Sequence, residues 1–429
     1  MKKFTLLAIG VLSASTFSAQ SYQAISTGAG YQKQSFFKLS TDTETQSNNT
    51  AWDIAFSVFG FQDGGIFINE GAGTVMGQPQ AVPEVYSALT ENFDEQPDPA
   101  TLEDFPLYNS EKSWENGAFN EIRDLSNPLD YGWGQYNFVS HQILGTSVYV
   151  IKLRNGQYRK FKVESLTGGT YTFKYANLDG SNLVTKTINK ADHAGKTLAY
   201  FSFESGNTVN VEPADGFDLV YCRYITPLYD PGSMTFLAYS VTGILSGEGV
   251  RVAKADGITP ETVQFTDFQD SLSSNMDVIG YDWKAFSGAA WTLDDDRVYF
   301  VNTSDEHVWK VQFVDFEGSS TGTTVLEKTD LGTLSAVTLP DAIGMKALMY
   351  PNPTQERLVV SLDVPTSLEG DAQLAITDLS GRTVAQRQLN LTGGFQVTEL
   401  QVNTWTPGAY VIHLKLGENE VNLGKIIKQ

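Results

Sequence analysis

Four histidines and one cysteine carry the strongest metal-binding or nucleophilic chemistry in this 429-residue sequence: His141, His193, His307, His413 and Cys222. The histidines never occur at the short spacings that close a zinc site, and HExxH is absent. Cys222 ends an apolar run, and no histidine lies nearby in sequence to activate its thiol, so we interpret it as a buried side chain. No catalytic constellation is visible, and we predict that the chain is not an enzyme.

Clustered carboxylates offer a second kind of chemistry, the binding of a hard cation. Asp294-Asp295-Asp296 provides oxygen donors, but it lacks the spaced ligands of a calcium loop. Asp179-Gly180-Ser181-Asn182 has the composition of a turn. Both segments are therefore interpreted as solvated turns.

Charge and the N-terminus limit the possible partners and location. The formal net charge of −21 argues against nucleic acid or anionic lipid as a partner. Lys2 and Lys3 precede an apolar run from Phe4 to Leu12 and small residues up to Ala19, which predicts a signal peptide over 1–19. A bilayer span takes roughly 20 apolar residues. No stretch of the sequence is that long, so we predict no transmembrane segment.

Two stretches that would position these side chains are copies of one pattern. They run from Trp133 to Val163 and from Trp283 to Phe313 and align without a gap, 150 positions apart (283 − 133). Each has an aromatic opening, an apolar run, a polar turn and an alternating strand. The first turn contains Asn155-Gly156, a strong hairpin signal. This repeat predicts an internal duplication in the chain.

A second pair of segments extends the repeat. Trp52-Asp53-Ile54-Ala55-Phe56 resembles Phe217-Asp218-Leu219-Val220-Tyr221, and each precedes an apolar strand ending in glycine, at Gly71 and Gly243. Residues 20–338 are thus predicted to be a β domain with two related halves, about 45–205 and 212–335, sharing one core. Single helices are conceivable only at 97–105 and near 265–272.

A separate unit is predicted after a linker over 339–346. Residues 347–429 contain roughly seven short alternating runs with turns between them, which favours a small immunoglobulin-like β-sandwich. The predicted fold class is therefore all-β, with a duplicated body followed by this sandwich.

Several ordered segments of the body resemble the HmuY family of secreted haem-binding proteins, over residues of about 45–335. The matching segments are Ala51 to Phe56, Tyr149 to Leu153, Gly216 to Tyr224, Ala238 to Leu245, Ile279 to Lys284 and Val298 to Val301. The resemblance implies an all-β fold and a role in capturing haem at the surface of Bacteroidetes cells.

The same resemblance implies an axial iron donor, which must be His, Met, Cys or Tyr. His141 lies in the first copy of the hairpin pattern, roughly where a family ligand is expected, and its counterpart in the second copy is Trp291. No His or Met occurs between Gln142 and Asp192. A second donor is left open among Met76, His193 and Tyr171. We expect His307 to be solvated and His413 to lie on a polar strand face.

The last unit resembles the type A C-terminal sorting domain of the type IX secretion system. The matching motifs are Tyr350-Pro351-Asn352-Pro353, Asp378-Leu379-Ser380-Gly381-Arg382, Pro407-Gly408-Ala409-Tyr410 and Lys425-Ile426-Ile427-Lys428. The resemblance implies the type IX secretion machinery as a partner. It also implies a mature protein that is secreted or attached to the outer cell surface.

An alternative function remains open beside haem binding: a non-haem surface β-module that binds protein or glycan, or is structural. The aromatic content of 12% suits either a porphyrin pocket or a sugar-stacking face, so composition does not decide between them.

Overall fold

The computed structural model describes residues 20–60, 63–75, 78–288, 290–305, 307–333, 345–378, 381–417 and 419–429. The predicted signal peptide, residues 339–344 of the predicted linker, Met76 and the pair Leu379-Ser380 lie outside the described residues. In the part of the chain that is described, no helix is long and apolar enough to cross a membrane.

The predicted all-β class is confirmed. The helical segments of the described residues are 3-10 turns of three or four residues: Ala29–Tyr31, Pro99–Thr101, Ala118–Asn120, Lys190–His193, Phe265–Asp267, Gln269–Ser271, Gly318–Ser320 and Thr366–Leu368. The stretch 97–105 therefore contains one 3-10 turn and the stretch 265–272 contains two, and neither forms an α-helix.

The strands of the body are β1 Gln20–Ser26, β2 Lys33–Lys38, β3 Thr43–Asn48, β4 Ile54–Ser57, β5 Ile66–Ile68, β6 Thr74–Val75, β7 Gln78–Pro79, β8 Glu84–Ser87, β9 Gly134–Asn137, β10 Gln142–Gly145, β11 Tyr149–Lys152 and β12 Tyr158–Thr167. They continue as β13 Thr170–Ala176, β14 Val184–Asn189, β15 Leu198–Ser202, β16 Asn207–Val209, β17 Leu219–Asp230, β18 Thr235–Ser246, β19 Arg251–Ala255, β20 Lys284–Phe286, β21 Trp291–Leu293, β22 Val298–Asn302, β23 His307–Phe316 and β24 Thr323–Thr333.

Four main sheets build the body, and we name them by their position. Outer sheet 1 has the strand order β14-β13-β12-β10-β9, with β11 paired to β12 and β8 to β11. Inner sheet 1 has the order β16-β15-β4-β5, and inner sheet 2 has the order β18-β17-β2-β3. Outer sheet 2 has the order β1-β24-β23-β22-β19. Strands β6–β7 and β20–β21 form two small ribbons.

Three apolar cores lie between the four sheets, so β4 and the first residues of β17 are buried on both faces. Ile54 and Phe56 of β4 pack in the core with outer sheet 1, whereas Ala55 between them packs against inner sheet 2. On β17, Leu219 packs against outer sheet 2 and Val220 against inner sheet 1. A strand buried on both faces is a continuous apolar run. This explains the apolar runs in the second repeated motif.

The hairpins of the two halves share one register. In the first half Tyr149 of β11 pairs with Phe161 of β12. In the second half Tyr299 of β22 pairs with Val311 of β23, so both partners are displaced by 150 positions (299 − 149 and 311 − 161). The two stretches that the sequence aligned therefore fold alike.

The tryptophans that open the two copies are also equivalent. Trp133 is 0% exposed and Trp283 is 1% exposed. Each indole N–H donates to the backbone carbonyl of a glycine, at 2.6 and 3.2 Å respectively. The long strands of both copies are irregular at the same place, directly after Val163 and directly after Phe313. The burial of the tryptophans and the place of the strand irregularity are thus shared by the halves, whereas the acceptors differ, because Trp133 donates to Gly64 and Trp283 to Gly280.

Residues 20–48 complete the second half, although they precede the first half in the chain. Strand β1 pairs with β24, and β2 pairs with β17. In the first half the corresponding places are taken by β14, which pairs with β13, and by β15, which pairs with β4. The second half is therefore closed by the N-terminal strands.

A buried aspartate marks this equivalence in each half. Asp53 precedes β4, and its Oδ2 accepts a hydrogen bond from the N–H of Phe203 at 2.8 Å, just after β15. Asp218 precedes β17, and its Oδ2 accepts from the N–H of Leu39 at 2.8 Å, just after β2. The aspartates of the repeated motif thus bind the end of the neighbouring strand.

The glycine-ended strands are related by a different alignment from the one that the sequence suggested. Matching Gly71 with Gly243 would place Tyr239 opposite Phe67, but Tyr239 is 58% exposed and Phe67 is 4% exposed. In the paired strands, the counterpart of Phe67 is the buried Leu245. Burial and strand pairing, rather than the terminal glycine, set the register.

The C-terminal unit is a two-sheet sandwich of seven strands. Their bounds are β25 Lys346–Tyr350, β26 Arg357–Val364, β27 Gly370–Asp378, β28 Thr383–Leu391, β29 Gly394–Gln401, β30 Gly408–Leu416 and β31 Asn419–Lys428. The sheet orders are β25-β26-β29 and β28-β27-β30-β31, with an apolar core between them. Lys346 links this unit to the body, because its Nζ lies 2.7 Å from carboxylate oxygens of Asp63 and Glu115.

Replacing Phe37 of β2 by alanine is expected to destabilise the second half by about 3–5 kcal/mol, because a buried ring is lost from its core. Denaturant unfolding followed by tryptophan fluorescence measures the change. Tyr22→Ala in β1 is the control, since Tyr22 is 60% exposed and should cost less than about 1 kcal/mol. Equal stability of the two variants would contradict a structural role of β2 in the second half.

Glu212 is a buried carboxyl next to inner sheet 1. It is 1% exposed and accepts hydrogen bonds from the N–H of Leu198 and from Tyr200 Oη, both at 3.1 Å. Burial raises its pKa from 4.5 to about 7. Because the folded-state pKa lies above the unfolded one, Glu212 stabilises the fold at low pH, and this contribution is lost as the pH rises through 7.

Glu212→Gln is therefore expected to reduce the loss of unfolding free energy between about pH 5 and about pH 8. At about 1.4 kcal/mol per pKa unit, the unchanged protein should lose about 3 kcal/mol more unfolding free energy over this pH range than Glu212→Gln does. Urea unfolding at several pH values measures it, with Glu91→Gln at an exposed position as the control. An unchanged pH dependence in Glu212→Gln would contradict the raised pKa.

Candidate functional site

His141 lies at the tip of the hairpin formed by β9 and β10. The two strands pair from Asn137–Gln142 next to the tip to Gly134–Gly145 at the other end. The backbone N–H of His141 donates to the carbonyl of Asn137 at 2.9 Å. Asn137 Oδ1 also accepts from the N–H groups of Val139 and Ser140, at 2.9 and 3.1 Å. His141 has a φ of 54°, in the left-handed region. The asparagine side chain and this conformation fix the tip.

The imidazole of His141 is exposed, and one of its nitrogens is occupied. Nδ1 lies 3.0 Å from the hydroxyl of Tyr136, which is itself buried. In the tautomer whose Nδ1–H donates to this hydroxyl, Nε2 presents a lone pair. Metal-binding histidines are commonly oriented in this way by a hydrogen bond from the other ring nitrogen.

The surroundings of His141 are apolar for so exposed a position. Phe138, Val139 and Leu144 are 47%, 93% and 38% exposed. The ring of Tyr136 packs edge-on against Phe138, with centroids 5.3 Å apart. A nitrogen donor beside uncovered apolar side chains fits one axial contact to haem iron and packing against the porphyrin.

Unlike His141, the described candidates for a second iron donor are buried or partly buried. Tyr171 is 0% exposed, and its hydroxyl donates to the carbonyls of Ser57 and Asp63 at 3.0 and 2.6 Å, so it has no free position. His193 ends a 3-10 turn, where burial lowers its pKa. Across the described residues, no group of three or more His, Cys, Asp or Glu side chains is arranged to hold a metal ion. Among the described candidates, His141 is the one whose imidazole is exposed beside apolar side chains.

The other histidines have local structural partners. His307 is the first residue of β23 rather than a solvated turn residue, and its Nε2 lies 2.5 Å from a carboxylate oxygen of Asp330. His413 lies on β30, with Nδ1 3.2 Å from Glu420 Oε1 and Nε2 3.2 Å from Thr377 Oγ1. These contacts agree with the expected polar strand face for His413.

Cys222 and the aspartate run have structural roles. Cys222 is 8% exposed, and burial raises the pKa of its thiol to about 12, so the reactive thiolate is suppressed. Asp294 forms an ion pair with Arg297 at 2.9 Å, and Arg297 also pairs with Asp256 and Asp282. Asp294, the first residue of the run, thus belongs to an arginine-centred network. Asp179 forms the expected turn by accepting from the N–H of Ser181 at 2.9 Å.

Gly318 to Gly322 has the GxSxG spacing of a nucleophile motif, but not its structure. A nucleophile elbow connects a strand to a helix. Here the motif connects the antiparallel strands β23 and β24, and Ser320 Oγ donates to the carbonyl of Glu317 at 2.7 Å. It is a hairpin turn.

Sequence reasoning missed a cleft between the two inner sheets. Its inner chamber, of about 80 Å³, is lined from the first half by Trp52 and Tyr200 and from the second half by Phe36 and Tyr224. The apolar runs predicted only a core here. The available signal was Gln34, a polar residue at the strand position that Leu198 occupies in the first half. We call this chamber and the groove that continues it the inter-half cleft.

Two parts of the chain match known protein families. Residues 30–176 match the HmuY protein family, and residues 348–429 match the secretion system C-terminal sorting domain. Neither family is enzymatic. The HmuY match contains His141 and ends within the first half, so residues 177–335 lie outside it.

The remaining comparisons are distant. No curated protein matches the chain. A solved structure of dimeric latent PorU from Porphyromonas gingivalis is similar at 8% identity and a TM-score of 0.19, over 95% of this chain and 34% of that chain. The chain thus spans about a third of that protein.

The sorting domain indicates secretion, with attachment to the outer cell surface. The motifs that suggested it begin at Tyr350 and end at Lys428, inside the matched range. The chain combines an HmuY-family region at residues 30–176 with a type IX C-terminal sorting domain at residues 348–429.

Proposed function

We propose that the exported body captures haem, with His141 as the protein ligand to iron. The observation that carries the proposal is the exposed imidazole whose Nδ1 is engaged by Tyr136 while Nε2 is free. The match of residues 30–176 to the HmuY family supports it, because His141 lies inside the matched segment. Haem, when bound, supplies the iron and the apolar porphyrin surface.

The neighbouring side chains have separate tasks in this proposal. Tyr136 orients the imidazole, and Asn137 holds the turn that carries it. Phe138, Val139 and Leu144 provide apolar surface that is now exposed to water and would be covered by the ligand. The energy of haem binding would thus come from one coordinate bond and from burial of these side chains.

Titration of the full chain with haem is expected to give a saturable Soret band that His141→Ala weakens at least tenfold. Tyr136→Phe should weaken binding by about tenfold or more, because a partner that orients a metal ligand is worth 10–100-fold in affinity. His193→Ala is the matched control and should bind as the unchanged protein does.

The absence of a saturable spectral change in the unchanged protein would contradict the proposal. Equal affinity of His141→Ala and His193→Ala would contradict the assignment of the ligand. The first result would favour a non-haem surface β-module, whereas the second would leave haem binding intact and require another donor.

A further inference from the structure

The inter-half cleft has two connected parts. The inner chamber shares Asn109, Ser110, Glu111 and Ile225 with an outer groove of about 380 Å³. Ligand sites in proteins typically have volumes of 300–1,000 Å³ and lie preferentially between domains. The groove has the size of such a site, and the chamber is its deep end.

The chamber contains polar N–H groups without partners. Trp52 and Gln34 both line it, and each is 8% exposed. Trp52 Nε1 and Gln34 Nε2 have no hydrogen-bond partner among the described residues. Buried donors normally find an acceptor. The chamber is therefore suited to an oxygen acceptor, supplied by water or by a ligand.

Glu70 adds a carboxyl that joins the two halves at the chamber. Its oxygens accept from the N–H of Asn109 in the first half at 2.8 Å and from the N–H of Ile225 in the second half at 3.2 Å. Burial raises its pKa to about 7. A carboxyl of this kind can accept or donate hydrogen bonds to hydroxyl groups near neutral pH.

The outer groove combines aromatic surface with planar polar side chains. Phe236, which is 69% exposed, and Tyr108 line it together with Asn116, Glu111 and Glu121. The groove lining includes two carboxylates and no Lys or Arg, whereas Arg223 lines the chamber. Such a lining disfavours anions, and it offers an aromatic face together with hydrogen-bonding groups for a molecule that has both an apolar face and hydroxyls.

The volumes limit how a ligand is divided between the two parts. A cavity of about 150 Å³ holds benzene, whereas the chamber has only about 80 Å³. A ring therefore fits only in the groove, and the chamber admits a substituent such as a hydroxyl or hydroxymethyl group.

We propose that the inter-half cleft binds a neutral saccharide. A sugar ring packs in the groove against Phe236 and Tyr108, and hydroxyl oxygens at its leading end accept from Trp52 Nε1 and Gln34 Nε2. This site is separate from His141 and does not depend on haem binding.

The test uses the full chain and a panel of maltose, cellobiose, lactose and N,N′-diacetylchitobiose, with sialyllactose as the anionic comparison. Trp52 and Trp114 line the chamber, so intrinsic fluorescence reports on occupancy, and calorimetry gives the affinity. At least one neutral disaccharide is expected to bind saturably. Sialyllactose should bind at least tenfold more weakly. No saturable binding of any neutral member would overturn the proposal, as would preferential binding of sialyllactose.

Matched variants then locate the site. Phe236→Ala should weaken binding at least tenfold, whereas Phe286→Ala, which removes another exposed phenylalanine from outside the cleft, should not. Gln34→Leu tests the chamber and should also weaken binding, with thermal unfolding as the check on folding. His141→Ala should leave saccharide binding unchanged, which separates this proposal from the haem site. Equal affinity of Phe236→Ala and Phe286→Ala would overturn the assignment.

Discussion

Burial of the central strands of the inner sheets on both faces is the constraint on which the rest of the body depends. Strand β4 and residues 219–222 of β17 have no exposed face, so each must be covered by its own outer sheet on one side and by the other half on the other side. If either half were separated from the other, it would leave a large apolar surface in water. The polar groups that enter this layer, such as Asp53 and Asp218, are held by backbone N–H donors.

The sequence predicted those parts of the fold that depend on local pattern. Asn155-Gly156 marks a hairpin whose strands do pair, with Gly156 at a φ of 78°. The copies led by Trp133 and Trp283 predicted two hairpins of equal register, because burial constrains the same positions in both. The short runs after Lys346 predicted a sandwich of the correct strand number. In each case the sequence pattern that predicts the element is itself only a few tens of residues long.

Long-range relations were not predictable in the same way. The pairing of β2 with β17 joins segments with no sequence signal that connects them, and the terminal Gly71 and Gly243 suggested an incorrect alignment. At the candidate site, the sequence placed His141 within the first repeated stretch, whose predicted turn is Asn155-Gly156. The structure places it at the tip of a different hairpin, β9–β10, and its contact with Tyr136 depends on which face of β9 is buried. The inter-half cleft was not predictable. Its lining residues belong to apolar runs that are typical of a core, and the gap between the sheets depends on how they pack.

Closure of the second half by β1 and β2 also bears on the order in which the chain can assemble. Strands β2 and β3 pair with each other locally, but the other partners of β1 and β2 lie at Leu219 and beyond, so these edges stay unpaired while the whole first half forms. Contacts across such sequence distances slow folding, since the loop entropy is lost before the contact is gained. A polypeptide threaded across a membrane from its leading end would therefore remain open until its later strands arrive.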